Sequence, residues 1–361
     1  MERAEEVARS LPAVAAAGEP GRVNPALLKA LAEAGLLGDI FRRDDTGYAP
    51  TSATALCLIR EGLARHCTEA ETALALQGLG AYPILLAGSA ATVEAWIPRI
   101  AAGEVAVGFA LTEPGAGSDA ASLTLAATRD GDAFRLSGEK TFISNAPDAA
   151  VYSVFARTSD AGSRGITAFA VPGDTEGLRG TRQTMVSPHP IGRLTFDEVY
   201  VPAAAVLGEV DGGWRVAMRT LDMFRPSVGA FAVGMGQAAL DAAVAYTADR
   251  RAFGRPLREF QAVSHQLADV ATRLHAARLL VHDAAAAYDA GGRTGHLSAM
   301  AKLFATETAQ LAVDVAIQVH GARALEHGHL LEHLYREVRA PRIYEGASEI
   351  QREIIARHLY S

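Results

Sequence analysis

Apolar and polar positions alternate in three distinct textures along the chain. From residue 1 to about 104, Ala, Leu and Glu dominate at helical spacing. Leu27, Leu28, Leu31, Ala34 and Leu36 fall on one face of a predicted helix that stops near Gly35 or Gly38. Residues 42–50 turn polar and read as a loop. No charge occurs between Glu71 and Glu94, but Gln77, Gly78, Gly80, Pro83, Gly88 and Ser89 interrupt the run. That favours a buried helix broken near Pro83 over a membrane span.

From about Val105 to Leu207 the period shortens to two. Strands are predicted over 105–111, 122–129, 133–143, 151–156, 165–171 and 193–201, with Asp130-Gly131-Asp132 as a hairpin turn. With no helix between them, these strands suggest a compact antiparallel or barrel-like domain. Helical periodicity returns near Trp214, with long helices over 228–250, 261–290 and 299–319 and a short one over 349–358. Long helices in series with short connections imply an antiparallel bundle. The fold class is α+β and multidomain, divided as 1–104, 105–208 and 209–361.

Composition removes several function classes. At 361 residues the chain exceeds one simple core, and 49% hydrophobic with 21% charged residues describes a globular protein rather than a disordered one. A formal charge of -7 argues against broad nucleic-acid binding, while leaving room for a local basic pocket. Cys57 and Cys67 form no CxxC pair, and the N-terminal MERAEEVARS has no apolar signal core, so a reducing cytoplasm is the expected setting.

Candidate chemistry lies in five strings. TEPGAGSD (112–119) follows a predicted strand, and its two closely spaced glycines free backbone N–H groups to meet a ligand, unless it is a plain surface loop. KTFISN (140–145) sets an aromatic ring beside a hydroxyl at a strand end, which suits a flat heterocycle but is also ordinary structure. RRAFGRP (250–256) clusters arginines after a long helix, fitting either a pyrophosphate or a solvated helix end. QVHGA (318–322) is a helix end turning through glycine. IYEGASEIQR (343–352) holds Glu345 in a loop between apolar helices. There it is either a base with a raised pKa or an acid satisfying a helix start.

Two other signals carry less. GMGQAA (234–239) fits the dinucleotide fingerprint, yet it lies inside a helical pattern with no preceding strand, so small residues for helix packing explain it better. His320, His327, His329 and His333 lack an HExxH string or accompanying cysteines, so no metal site is expected there.

Taken in order, TEPGAGSD, KTFISN, LTFDEVYVP, RRAFGRPLREFQ, QVHGA and IYEGASEIQR resemble the acyl-CoA dehydrogenase family, from about Trp96 to Arg357 and weakly before residue 70. The resemblance implies an N-terminal helical domain, a middle β domain and a C-terminal four-helix bundle, with FAD between the last two. Thr112 and Ser144 would hydrogen-bond the flavin and Phe142 would pack on it. Arg250, Phe253 and Gln261 would hold the pyrophosphate and adenosine end, together with Gln318, Gly321 and Ala322 of a neighbouring subunit. Ala347 falls at a further cofactor position. Ser118, Asp222, Arg225 and Gly346 match substrate-binding positions, and Glu345 matches the catalytic base, its own backbone N–H helping to hold the thioester carbonyl.

The resemblance implies a homodimer or homotetramer. Its expected partners are an acyl-CoA or acyl-carrier-protein substrate and electron-transfer flavoprotein as acceptor. Departures are Phe142 where many members have Trp, Ala322 where a second Gly is usual, Ala347 where Thr is usual, and no PEEYGG-like string at 41–50. Rival readings are an oxygen-using acyl-CoA oxidase, a non-catalytic flavin-fold binding protein, and a dehydrogenase of carrier-bound acyl chains.

Overall fold

The computed structural model describes residues 1–45, 47–292 and 294–360. Helices α1 (Glu2–Ser10), α2 (Pro12–Ala16), α3 (Pro25–Glu33) and α4 (Leu36–Ile40) open the chain. A hairpin of β1 (Phe41–Asp44) and β2 (Gly47–Pro50) follows, then α5 (Ala53–Ala64), α6 (Thr68–Ala87) and α7 (Ala90–Ala101). The strands are β3 (Val107–Ala110), β4 (Ala126–Asp130), β5 (Ala133–Ser144), β6 (Val151–Arg157), β7 (Ile166–Pro172), β8 (Leu178–Arg182), β9 (Ile191–Pro202) and β10 (Val206–Leu207). The chain then runs through α8 (Gly213–Asp249), the β11 (Arg251–Ala252) and β12 (Arg255–Pro256) hairpin, α9 (Gln261–Asp289), α10 (Gly295–His320), α11 (Leu330–Glu337) and α12 (Ser348–Leu359). The order is helical, β, helical, as the periodicity predicts. Two compact units form. One gathers Met1–Ser10, Ser52–Glu71 and Asp222–Ser361, the other Leu11–Thr51 and Thr72–Leu221.

The second unit is built on a sheet with strand order β10-β7-β6-β4-β5-β9-β8. Its hairpin falls where predicted. Asp130 pairs with Ala133, and Gly131 takes the left-handed conformation (φ 63°) that the tight turn requires. Pairing is mainly antiparallel, as the alternation implies, but β6 departs from it. One edge of β6 pairs antiparallel with β7, while the other is split between β3, from Val107↔Val151 to Ala110↔Val154, and β4 at Arg157, both parallel. Buried on both faces, β6 and β7 read as unbroken apolar runs, so alternation could not reveal their partners. β8 and β10 are too short and too polar or irregular to stand out in the sequence. Phe134, Leu136, Tyr152, Val154, Phe169, Leu194 and Phe196 centre the core.

Two expectations for this unit are corrected. Residues 41–50 are not simply a loop: 41–44 and 47–50 form the antiparallel β1–β2 pair, with Phe41 opposite Pro50 and the Arg43 guanidinium 5.2 Å over the Tyr48 ring. Polar composition hid a ladder whose bonds come from the backbone. Helix α6 is not broken at Pro83; it continues to Ala87. A proline removes one helix donor and crowds the preceding turn. Here Ser153 Oγ donates to the Gly80 carbonyl at 2.7 Å, satisfying an acceptor in that turn.

In the first unit the bundle helices are close to prediction at α9, α10 and α12. Helix α8 begins at Gly213, well before 228, because it runs through Pro226. Pro226 leaves the Asp222 carbonyl without its helix donor, and Ser298 Oγ lies 3.4 Å from that oxygen. Helix α11, with alternating charges and three histidines around it, was not foreseen. Among the described residues, α8 is the one helix long and apolar enough to cross a membrane, and most of its apolar window is buried.

The GMGQAA string lies inside α8 as expected from helix packing. A Cβ on Gly236 would come within 2.6 Å of Leu274 Cδ2, and one on Gly234 within 2.5 Å of the Glu61 carbonyl oxygen. Backbone cannot yield as a side-chain tip can. Gly234→Ala is therefore expected to cost about 1–3 kcal/mol through forced separation of α5 and α8. Urea unfolding checks this; an unchanged midpoint would contradict the close-packing account.

Candidate active site

Glu345 occupies the short connection between α11 and α12. Its backbone is left-handed (φ 52°), an unfavourable state for a side chain larger than glycine, and Gly346 follows at φ 93°. Four hydrogen bonds hold this turn. The Glu345 carbonyl accepts from Arg225 Nε at 3.1 Å and Gln351 Nε2 at 3.2 Å. The Gly346 carbonyl accepts from Lys302 Nζ and Gln351 Nε2, each at 2.7 Å. A Cβ at 346 would also come within 2.6 Å of Gln351 Nε2 and displace the tip that bonds the turn.

These bonds leave the working groups of Glu345 free. Its Oε2 is buried without a hydrogen-bond partner, and its N–H makes no hydrogen bond among the described residues. Burial pushes the carboxyl above the ordinary carboxylate range, against the opposing pull of Arg60, Lys302 and Arg225. Arg60 is buried, ion-paired through Nε to Glu71, with Nη1 2.7 Å from Ser227 Oγ. Arg225 pairs with Asp222 at 3.2 Å. Asp222, Arg225, Glu345 and Gly346, separated by more than a hundred residues in sequence, are thus brought together. Asp222 is itself raised by burial, with Arg225 opposing.

The candidates of the second unit form another group. Thr112 and Ser144 are half-buried, Ser118 is exposed, and Phe142 is 55% exposed with φ 56°. The β5–β9 register shifts between Lys140 and Ile143, so the strand bulges where Phe142 turns outward. Gln183 Oε1 fixes this bulge by accepting the Phe142 N–H at 2.9 Å and Thr141 Oγ1 at 3.2 Å. The Gly-rich segment is anchored beneath. Lys140 Nζ, wholly buried, donates to the Leu111 carbonyl at 2.9 Å and to Glu113 Oε1 at 2.8 Å. Glu113 also accepts from Thr124 N and Leu125 N at 2.6 and 2.8 Å. A Cβ at Gly115 or Gly117 would meet nothing, so backbone there is open to approach.

The third group is exposed at one end of the bundle. Arg250 precedes the β11–β12 hairpin, whose tip is Phe253 (φ 50°, 96% exposed) and Gly254 (φ 85°), and Gln261 begins α9. Both tip residues are left-handed, as a two-residue hairpin of type I′ demands, a turn that usually selects Asn-Gly. Gln318, Gly321 and Ala322 lie at the end of α10, and the stack of Tyr246 on His320 at 4.2 Å ties that end to the end of α8. Ala347 caps α12 without a side-chain hydrogen bond. Three of the four histidines singled out in the sequence have hydrogen-bond partners: His320 Nδ1 lies 2.7 Å from the Ala316 carbonyl, His329 caps α11, and His333 Nε2 lies 2.6 Å from Thr68 Oγ1.

Sequence reasoning missed Arg60, Lys302, Gln351, Glu113, Lys140 and Gln183. For Lys302 a signal existed: it is a lone charge within the apolar run SAMAKLFA, on the buried face of α10.

Residues 3–104, 108–199 and 211–360 match, in order, the family descriptions of the acyl-CoA dehydrogenase N-terminal, middle and C-terminal domains. The weak resemblance before residue 70 is therefore a full N-terminal match. Cyclohexane-1-carbonyl-CoA dehydrogenase of Geobacter metallireducens is 37% identical over 359 residues, covering 97% of this chain and 93% of its own. The structure of butyryl-CoA dehydrogenase from Megasphaera elsdenii has a TM-score of 0.92 at 31% identity, covering 100% of this chain and 98% of its own. PigA with FAD and proline has a TM-score of 0.94 at 26% identity, covering 99% and 96%.

Proposed function

Because the chain belongs to the acyl-CoA dehydrogenase family, and is an FAD-dependent enzyme of that class, we propose that Glu345 removes the α-proton of an acyl thioester as the β-carbon loses a hydride. The observation that carries this reading is the Glu345 carboxylate. It has one buried oxygen without a partner, is held on a left-handed backbone by four bonds to the turn carbonyls, and faces three cations.

The side chains suit FAD. Phe142 is an exposed ring on a strained bulge, and the backbone at Gly115 and Gly117 is open to a ligand. Bound FAD supplies the acceptor for the two electrons of the hydride. In this reading Thr112 and Ser144 hydrogen-bond the ring system and Phe142 packs on it. Arg250, Phe253 and Gln261 take the pyrophosphate and adenosine end, with Gln318, Gly321 and Ala322 of a second copy, so the working state is a homodimer or homotetramer. The alanine at 347 offers no hydroxyl, and that cofactor position contributes backbone only. Ser118, Asp222, Arg225 and Gly346 serve the substrate. Electron-transfer flavoprotein is the proposed acceptor, and a reducing cytoplasm the proposed setting for the free Cys57 and Cys67.

The chemistry follows from the turn. An α-C–H beside a thioester is acidic only when charge on the carbonyl oxygen is stabilised. The unengaged Glu345 N–H donates there, while the carboxylate of the same residue takes the proton. Burial makes that carboxylate a stronger base than a solvated one, while the charges of Arg60, Lys302 and Arg225 oppose that rise and favour its ionised form.

Anaerobic titration with CoA and carrier-protein thioesters, following flavin absorbance, tests the reading. CoA thioesters are expected to bleach the flavin. Glu345 must be ionised to act, and its folded pKa is raised, so the rate of bleaching rises with pH through a limb lying above the ordinary 4.5 of a glutamate. No bleaching by any thioester, or a limb at or below 4.5, would contradict the assignment.

A further inference from the structure

We propose that Lys302 is the positioning residue of Glu345: its buried ammonium pins the Glu345–Gly346 turn and supplies the positive charge that keeps the base ionised between turnovers. This rests on the reading of Glu345 as the base and deepens it.

Three cations face Glu345, and two are already committed. Arg60 is ion-paired with Glu71 and bonded to Ser227, and Arg225 is ion-paired with Asp222. Lys302 is different. Its side chain is wholly buried on α10, and its one hydrogen bond among the described residues is to a neutral acceptor, the Gly346 carbonyl at 2.7 Å. It makes no ion pair within 4.0 Å among those residues. An ammonium buried without a counter-ion is costly, and the usual outcome is a paired lysine or an apolar residue in its place. The carboxylate that most favours its charge is that of Glu345. Burial brings Lys302 down to about 8, with Glu345 opposing that fall, so the two groups support each other's charged state.

The other ionisable groups around this pair are accounted for. Arg60 comes from α5, Glu71 from α6, and Asp222 and Arg225 from α8. Glu307 on α10 is tied to Arg342 at 2.8 Å and Ser348 at 2.7 Å. Glu349 on α12 is exposed, and Glu337 of α11 acts on Tyr344, which in turn interacts with Arg60. None of these offers Lys302 a direct partner. When Glu345 takes the α-proton its charge is lost, and Lys302 is left alone; returning that proton to water restores both. The lysine thereby favours release of the proton and resetting of the base.

Two substitutions separate the roles. Lys302→Gln keeps a donor for the Gly346 carbonyl and removes the charge; Lys302→Met removes both. Each is purified with bound FAD, and flavin content and thermal melting report folding. The readout is the pH dependence of anaerobic bleaching by an acyl-CoA thioester. Removing a cation from a carboxylate raises its pKa. The acid limb is therefore expected to move up by about one pH unit or more in both variants. The plateau rate is expected to fall in both variants, and further in Lys302→Met, which loses the bond to the Gly346 carbonyl as well as the charge. If Lys302→Met fails to fold, Lys302→Gln alone decides the charge claim. A Lys302→Gln limb coincident with wild type overturns the proposal. Glu345→Gln run alongside separates the two readings. If it bleaches normally, the base assignment fails; if it is silent while the Lys302 variants keep the wild-type limb, only the lysine proposal fails.

Discussion

Glu345→Gln is expected to purify with FAD bound and to lose acyl-CoA dehydrogenation by about 10²–10⁴-fold, the usual contribution of a positioned general base. The substitution is nearly isosteric and leaves the features that shape the turn in place. The Glu345 and Gly346 carbonyls still accept from Arg225, Gln351 and Lys302, and the left-handed backbone is still held. The amide also replaces a carboxylate that is raised by burial, so stability is not expected to suffer. What disappears is the proton acceptor. Steady-state turnover with the flavin spectrum as a control checks this, and a loss of flavin with the loss of turnover would instead indicate a structural role.

The second large effect is on stability. Lys140→Met removes the wholly buried ammonium that ties the Leu111 carbonyl to Glu113, and breaking a buried pair from one side costs roughly 3–5 kcal/mol. The lower end is expected, because Thr124 and Leu125 still donate to the abandoned carboxylate. Burial by itself pushes Glu113 up. The Lys140 ammonium and the bonds from Lys140, Thr124 and Leu125 outweigh that and hold it below the ordinary range. Its contribution is thus present above the unfolded pKa and fades as pH falls through the lower folded one. Urea unfolding of the holoprotein near neutral pH measures the loss, and Glu113→Gln/Lys140→Met should recover a substantial part. A single variant as stable as wild type would show that the pair does not anchor the Gly-rich segment.

Much of this was legible in the sequence for definable reasons. The change from helical to alternating periodicity located the β region, and Asp130-Gly131-Asp132 its hairpin, because both are local signals. Glu345 and Phe142 could be found because they sit in distinctive strings. Their left-handed backbones could not, since nothing in a Glu or Phe announces a positive φ. Lys140 was read as the start of a string whose Phe and Ser drew attention, though it is the residue that holds the string down. Arg60, Lys302 and Gln351 converge on one turn from three helices, and such convergence is a property of packing rather than of spacing. Pro83 misled because a proline is a local helix breaker, and Pro226 inside α8 is accommodated in the same way. Pro83 and Pro226 remove helix donors locally, but Ser153 and Ser298, distant in sequence, reach carbonyls in the turns before them.

The most direct test is a single turnover without oxygen. Glu345→Gln holding its flavin is mixed with the CoA thioester that bleaches wild type fastest, and absorbance of the oxidised flavin is followed with time. A spectrum that stays oxidised over a period in which wild type is fully reduced is the outcome expected of a lost proton acceptor. Reduction at close to the wild-type rate would mean that some other group takes the α-proton.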